Sequence, residues 1–139
     1  MKKPIIITLL STVCSLGLMA QTTDYPFTAL PFTSVKLTDQ FWLPRIKTNM
    51  AVTIPASFER CDKTGRIKNF IMAAEKKGKF CTAYTFDDTD IYKTIEGASF
   101  SLSLFPDKKL ELFIDSLIGI VGRAQEPDGY LYTARTIDP

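Results

Sequence analysis

The stretch DTDIYKTIEGASFSLSLFPDKKLELFIDSLIGIVGRAQ, at residues 88–125, contains two apolar stripes separated by a turn. Both stripes have helical spacing, because their apolar residues recur every three or four positions. The turn is Pro106-Asp107, so only one or two residues join the predicted helices, and we expect an antiparallel αα-hairpin. The first stripe is Ile91, Ile95, Ala98, Leu102 and Phe105, and the second is Leu110, Phe113, Ile114, Leu117, Ile118 and Val121.

Two shorter helices are predicted upstream of this hairpin. Asp39 is a suitable N-cap for a helix from Phe41 to about Val52, which we expect Pro55 to end. Thr64 is expected to cap a second amphipathic helix, followed by a glycine. The predicted inward residues of this helix are Ile67, Phe70, Ile71 and Ala74.

The remaining segments carry no strong strand signal. Residues 80–86, FCTAYTF, are expected to form a short strand or an extended connection, and Pro127-Asp128-Gly129 has the composition of a turn. Since no alternation of period two extends over a useful length, the sequence predicts the all-α class.

The first twenty residues have the three-part layout of a secretory signal peptide. Two lysines precede an apolar run from Ile5 to Met19, and Ala20 is the expected cleavage position. The run is shorter than the roughly 20 residues that a spanning helix needs. We therefore expect a secreted or periplasmic protein with no membrane segment after cleavage.

Composition and charge exclude several classes of function. The chain has 17 Lys+Arg, 15 Asp+Glu and no histidine, and cleavage after Ala20 removes Lys2 and Lys3, which leaves no net charge. A neutral chain lacks the long-range field that attracts nucleic acid or anionic membranes, so neither is an expected partner. Without histidine there is no Ser-His-Asp triad and no zinc site with an imidazole ligand.

The domain organisation predicted from the chain has three parts. Residues 1–20 are the leader, residues 21–36 are an extended lead-in rich in Thr, Pro and aromatics, and residues 37–139 are helical. The wide apolar stripes need partners on their inner face, which about 119 mature residues can supply only in part. We therefore expect residues 37–139 to be a truncated piece of a larger helical domain.

Five blocks occur along the chain in this order: FWLPR at 41–45, TIP at 53–55, TGRIKNF at 64–70, FDDTDIYKTIE at 86–96 and AQEPDGYLYT at 124–133. Together they resemble the N-terminal part of the secreted β-L-arabinofuranosidases of glycoside hydrolase family 127 and its relatives. The resemblance covers residues 35–136, and five ordered blocks are far more specific than one. It implies an incomplete (α/α)6 toroid, of which this chain holds only the first helical hairpins, and an arabinose-containing glycan as substrate.

The resemblance also implies a chemistry whose groups lie elsewhere. Enzymes of this family are retaining hydrolases with a cysteine nucleophile at a zinc site made of cysteines and a glutamate, and a second glutamate as acid/base. Neither Cys61 nor Cys81 lies in a matching cysteine-rich motif. We therefore assign no catalytic or metal residue to this chain, and zinc is implied only for the full-length family. Two free, largely buried thiols are expected rather than a Cys61–Cys81 disulfide, because a helix of about 21 Å separates these cysteines.

The acidic cluster Asp87, Asp88, Asp90 and Glu96 has two interpretations. Acids at a helix start cap free N–H groups and match the helix dipole, and Asp90 can pair with Lys93. Alternatively, the cluster faces the cavity of the toroid and contacts sugar hydroxyls. The candidate substrate-binding residues are then Asp88, Asp90 and the possible stacking group Tyr92.

Two functions follow from the sequence. The first is an N-terminal fragment of a secreted glycoside hydrolase that is inactive alone. The second is a free-standing secreted helical module that binds carbohydrate or a partner without catalysis.

Overall fold

The computed structural model describes residues 27–139, so the predicted leader lies outside the described residues. Across residues 27–139 the chain is 65% helical and has no strand, which confirms the all-α prediction. None of the helices in this range is long and apolar enough to cross a membrane. Among the described residues, 33–139 form one compact unit.

The helices lie between residues 42 and 137. A 3-10 turn, Phe32–Ser34, precedes them, and a π-helical segment, Asn49–Thr53, joins the first two. The α-helices are α1 (Trp42–Thr48), α2 (Ile54–Lys63), α3 (Arg66–Glu75), α4 (Asp88–Leu104), α5 (Lys108–Ala124) and α6 (Thr133–Ile137).

The first helix begins as predicted but does not end at Pro55. The Asp39 carboxylate accepts hydrogen bonds from the backbone N–H groups of Phe41 and Trp42, which caps α1. Pro55 lies in the first turn of α2, where a missing N–H costs little. The intervening π-helical segment keeps the chain helical, and Ile54 N–H donates to Asn49 O across five residues. The predicted break was therefore wrong, and α2 was missed.

Thr64 does not cap α3, contrary to the prediction. Its hydroxyl donates to Arg60 O, 2.6 Å away, at the end of α2. Gly65 occupies the N-cap position with φ +84, a left-handed conformation that favours glycine. A Cβ at this position would lie 2.7 Å from the Cys81 Cβ. In this two-residue turn the Thr64 hydroxyl therefore bonds to the end of α2, and Gly65 starts α3.

The core forms where α3 packs against α5 and α6, and α4 packs against α2 and α3. Phe70 and Ile91 are almost completely buried, each 1% exposed. The predicted stripes are partly wrong at their edges, because Ile71, Phe113 and Ile118 are exposed. The buried apolar core is Ile54, Phe58, Cys61, Ile67, Phe70, Ala73, Ile91, Ala98, Ile114, Leu117 and Ala124.

The predicted hairpin of the two long helices is present. Asp107 is the N-cap of α5, and its carboxylate accepts from Lys109 N at 2.9 Å and Leu110 N at 3.1 Å. Residues from the end of α4 and the start of α5, such as Ser103 and Glu111, line one groove. The chain therefore turns back at Pro106-Asp107, and the end of α4 lies beside the start of α5.

After α5 the chain makes the predicted turn and then a short helix that was not predicted. Gly129 has φ +91, and Glu126 N–H donates to Tyr130 O at 2.8 Å, which closes the turn. Five residues of α6 follow. Residues 80–86 form a connection with bends and turns rather than a strand.

Replacing Ile91 by Ala is expected to lower the free energy of unfolding by about 2–5 kcal/mol, because the substitution leaves a cavity in the core. The matched change Ile118→Ala removes a side chain that is 50% exposed. It should cost less than about 1 kcal/mol. Urea unfolding followed by circular dichroism measures both, and equal losses would contradict the assigned core.

Candidate functional site

Arg66, the first residue of α3, connects to the start of α4. Its Nε lies 2.7 Å from Asp90 Oδ2, and its Nη2 lies 3.3 Å from Asp87 Oδ1. Its Nη1 donates to Thr64 Oγ1 at 2.7 Å. The hydrogen bond to Asp90 is the main cause that raises the pKa of Arg66. This guanidinium therefore joins the start of α3 to the start of α4.

Asp88 is buried and bonds across the fold rather than capping its own helix. Its Oδ1 accepts from Thr133 Oγ1 at 2.6 Å, and its Oδ2 accepts from Thr133 N at 2.8 Å. Thr133 is the first residue of α6, whose own N-cap residue, Tyr132, provides no side-chain cap. Asp88 thus caps α6 from 45 positions away. Asp88 therefore caps a helix, as the capping interpretation expects, but the capped helix is α6 and not α4, to which Asp88 itself belongs.

The bond between Asp88 and Thr133 also holds the turn that precedes α6. Thr136 Oγ1 donates to Glu126 Oε1 at 3.0 Å, and Gln125 Nε2 donates to Gly129 O at 2.8 Å. The Arg135 guanidinium lies 4.9 Å from the centre of the Tyr130 ring. Since these contacts join α6 to both ends of the turn, the segment from Gln125 to Tyr132 is tied to the start of α4.

Asp90 is the most accessible of the three acids at the start of α4. Its side chain is 40% exposed, against 3% for Asp87. The predicted pair with Lys93 is present, with Nζ 3.7 Å from Asp90 Oδ1. Glu96 is exposed and lies two turns further along α4. The cluster predicted as one group is therefore divided.

Tyr92 lies beside the core rather than on an open surface. Its ring contacts Phe70 edge-on at 5.7 Å between centroids. Its hydroxyl is buried and has no hydrogen-bond partner among residues 27–139. Burial, with a smaller contribution from Asp88, raises the pKa of Tyr92 to about 12. The half-buried ring thus has a core contact, and stacking on a sugar remains a prediction.

A cleft of about 720 Å³ lies between α2 and the first turns of α4. Cys61 is at its buried side, and burial is the main cause that raises the pKa of this thiol. Sequence reasoning did not find the contribution of α2, because the expected break at Pro55 left residues 56–63 without a helical face. The cleft is lined by Val52, Thr53, Ala56, Ser57, Arg60, Cys61, Arg66, Asp90, Lys93 and Thr94.

The described residues do not provide the zinc site that the resemblance implies. No group of three or more His, Cys, Asp or Glu side chains within residues 27–139 is arranged to hold a metal ion. Cys61 and Cys81 are both free, and Cys81 is exposed, contrary to the expectation that both are buried.

Comparisons with known proteins agree with the helical fold. The model of the β-L-arabinofuranosidase GH127 catalytic domain matches residues 34–139. A non-reducing end β-L-arabinofuranosidase of Bifidobacterium longum subsp. longum is 34% identical over 80 residues, which are 57% of this chain and 12% of that protein.

Two solved structures are similar over most of this chain. One is a GH127 β-arabinofuranosidase with a TM-score of 0.75 and 56% identity, matched over 81% of this chain and 18% of that one. The other is a GH127 β-L-arabinofuranosidase from Geobacillus stearothermophilus T6, with a TM-score of 0.71 and 36% identity over 75% of this chain and 18% of that one.

This chain belongs to the GH127 β-L-arabinofuranosidase catalytic-domain family. It spans less than a fifth of the length of the relatives described above. The fold is accordingly an incomplete part of the family's helical domain.

Replacing Asp88 by Asn should lower the free energy of unfolding by about 1–3 kcal/mol, because one carboxylate acceptor for Thr133 becomes a donor. Hydrogen exchange at residues 126–137 should also accelerate more than exchange in α5. Asp128→Asn is the matched control, since Asn can still accept the Tyr130 N–H bond made by Asp128. Equal protection of α6 in both variants would refute the proposed cap.

Tyr92→Phe should leave stability at pH 7 nearly unchanged, because the hydroxyl has no partner to lose. The folded-state pKa of about 12 exceeds the unfolded value near 10. As pH rises from about 10 to 12, the Tyr92 hydroxyl ionises in the unfolded chain but stays protonated in the folded chain, so the folded state loses stability. The variant should lose less over this range in urea titrations, whereas Tyr84→Phe, at an exposed position, should follow the unsubstituted chain.

Proposed function

We propose that this chain supplies the N-terminal helices of the catalytic domain of a secreted β-L-arabinofuranosidase. The enzyme would hydrolyse terminal L-arabinofuranose from a glycan with retention of configuration. The observation that carries this proposal is the family match over residues 34–139. The name of the Bifidobacterium relative, which acts at the non-reducing end, supports a terminal sugar as substrate.

In this proposal the chain is inactive by itself. Asp87 and Asp88 are buried and bonded to Arg66 and Thr133, so they are not placed as an acid/base pair. The nucleophile, the acid/base and the zinc ligands are assigned to the rest of the catalytic domain. Zinc there would hold and activate the cysteine thiolate.

The contribution of this chain is to build and hold one side of the substrate cavity. Asp90, with a partly exposed carboxylate, is the group proposed to accept a bond from a sugar hydroxyl. Asp88 keeps the turn before α6 in place through its bonds to Thr133, and the Tyr92 ring packs against Phe70. Secretion is proposed on the charge and length pattern of residues 1–20.

A chimera tests this function. Residues 34–139 replace the matching segment of the GH127 β-arabinofuranosidase that is 56% identical. The chimera is expected to hydrolyse an aryl β-L-arabinofuranoside within about tenfold of the parent, whereas the purified 139-residue chain should give no turnover. The readout is release of the aryl group at saturating substrate.

A second chimera that carries Ile91→Asp is the control, since a buried charge should prevent its folding and abolish activity. A folded but inactive first chimera would contradict the proposed role and favour a free-standing binding module. Zinc-dependent turnover by the isolated chain would contradict its inactivity.

A further inference from the structure

The cleft between α2 and α4 carries an excess of positive charge. Arg60, Arg66 and Lys93 line it, and Asp90 is the acid among its lining residues. The chain as a whole is near neutrality after removal of its leader, so this excess is local. Charged groups in a concave surface act on a ligand more strongly than the same groups on a flat surface.

The three cations of the cleft differ in how tightly they are paired with carboxylates. Arg66 is committed to Asp87 and Asp90 through close contacts. Lys93 approaches Asp90 only to 3.7 Å, and its side chain is 71% exposed. Arg60 is exposed and has no carboxylate within ion-pair distance among residues 27–139. The cleft therefore presents one guanidinium and one ammonium group from opposite walls.

The neutral polar groups of the cleft add a second requirement. Thr53, Ser57 and Arg60 recur at helical spacing on one wall, and Thr94 lies on the other. Hydroxyl groups both donate and accept hydrogen bonds, and Asp90 can only accept. A bare phosphate ion brings all of its charge close to the Asp90 carboxylate, whereas a sugar acid can direct its carboxylate to the cations and its hydroxyls to Asp90. A ligand with one carboxylate and several hydroxyls matches both the cations and the acceptors.

We propose that this cleft binds a carboxylate-bearing sugar, a uronic acid residue of the glycan. The carboxylate lies between Arg60 and Lys93, and the ring hydroxyls bond to Ser57, Thr53 and Asp90. The assignment of the ligand as a sugar rests on the proposed function. That the ligand carries a negative charge is inferred from the residues of the cleft alone.

The test is a titration of the 139-residue chain, followed by ¹H–¹⁵N correlation spectra, with D-galacturonate and with D-galactose. These two probes have the same ring and differ in the carboxylate. Galacturonate should bind at least about five-fold more tightly than galactose, the size of one exposed charge contact. Its affinity should fall as salt is raised from 20 to about 500 mM, because exposed charges are screened.

Substitutions locate the binding. Arg60→Gln and Lys93→Gln should each weaken galacturonate binding about five-fold, again the size of one charge contact. Lys63→Gln, which removes the same charge from α2 outside the cleft, should leave it unchanged. Both cleft side chains are exposed, so the variants should keep the thermal unfolding midpoint of the unsubstituted chain.

Several results would overturn the inference. They are equal binding of galactose and galacturonate, no binding of galacturonate, or equal affinity in all variants. Binding of inorganic phosphate as tight as that of galacturonate would also overturn it, because the site would then recognise anions rather than sugar acids. Since the readout is binding, loss of activity in the chimera would refute the proposed function alone.

Discussion

The hydrogen bonds between the Asp88 carboxylate and the first residue of α6 connect the start of α4 to the last of the described helices. One buried acid satisfies both the N–H and the hydroxyl of Thr133. Each helix start leaves N–H groups without partners, and a buried start is costly unless an acceptor is supplied. Here the acceptor comes from another helix, so the position of α6 depends on the position of α4. A local cap would have left the short helix free of that constraint.

Arg66 makes the complementary connection at the same end of the molecule. It binds Asp87 and Asp90, the acids on either side of Asp88, and so holds the start of α4 against the start of α3. Three acids within four residues would repel one another if they shared one environment. The fold separates them, because Asp87 and Asp90 face a guanidinium while Asp88 faces backbone and hydroxyl donors. The same arrangement leaves part of Asp90 open to the cleft, where a ligand can reach it.

The fold could be predicted from the sequence wherever one helix face decides the structure. The hairpin of α4 and α5, the Asp107 turn and the Asp39 cap all depend on residues close in the chain, and each is present. The prediction failed at Pro55, because a π-helical segment precedes this proline and places it in the first turn of α2, where it does not end the helical path. It failed again at Thr64, because this residue lies between two helices and its hydroxyl bonds to the end of α2 instead of capping α3. Phe113 and Ile118 are exposed although both belong to the predicted stripe. An apolar stripe therefore predicts which face of a helix is buried, but not how much of that face the neighbouring helices cover.

Only part of the candidate site could be predicted from the sequence. Local spacing gave the acidic start of α4 and the pair of Asp90 with Lys93, because partners within one helical turn are fixed by the 3.6-residue period. The order of the motifs alone indicated the family. Only the tertiary structure placed Arg60 and Ser57 opposite Lys93 and joined Asp88 to Thr133, since these partners lie on helices far apart in the chain. A pattern of residues specifies which face of a helix is polar, but packing of the core decides which two polar faces meet.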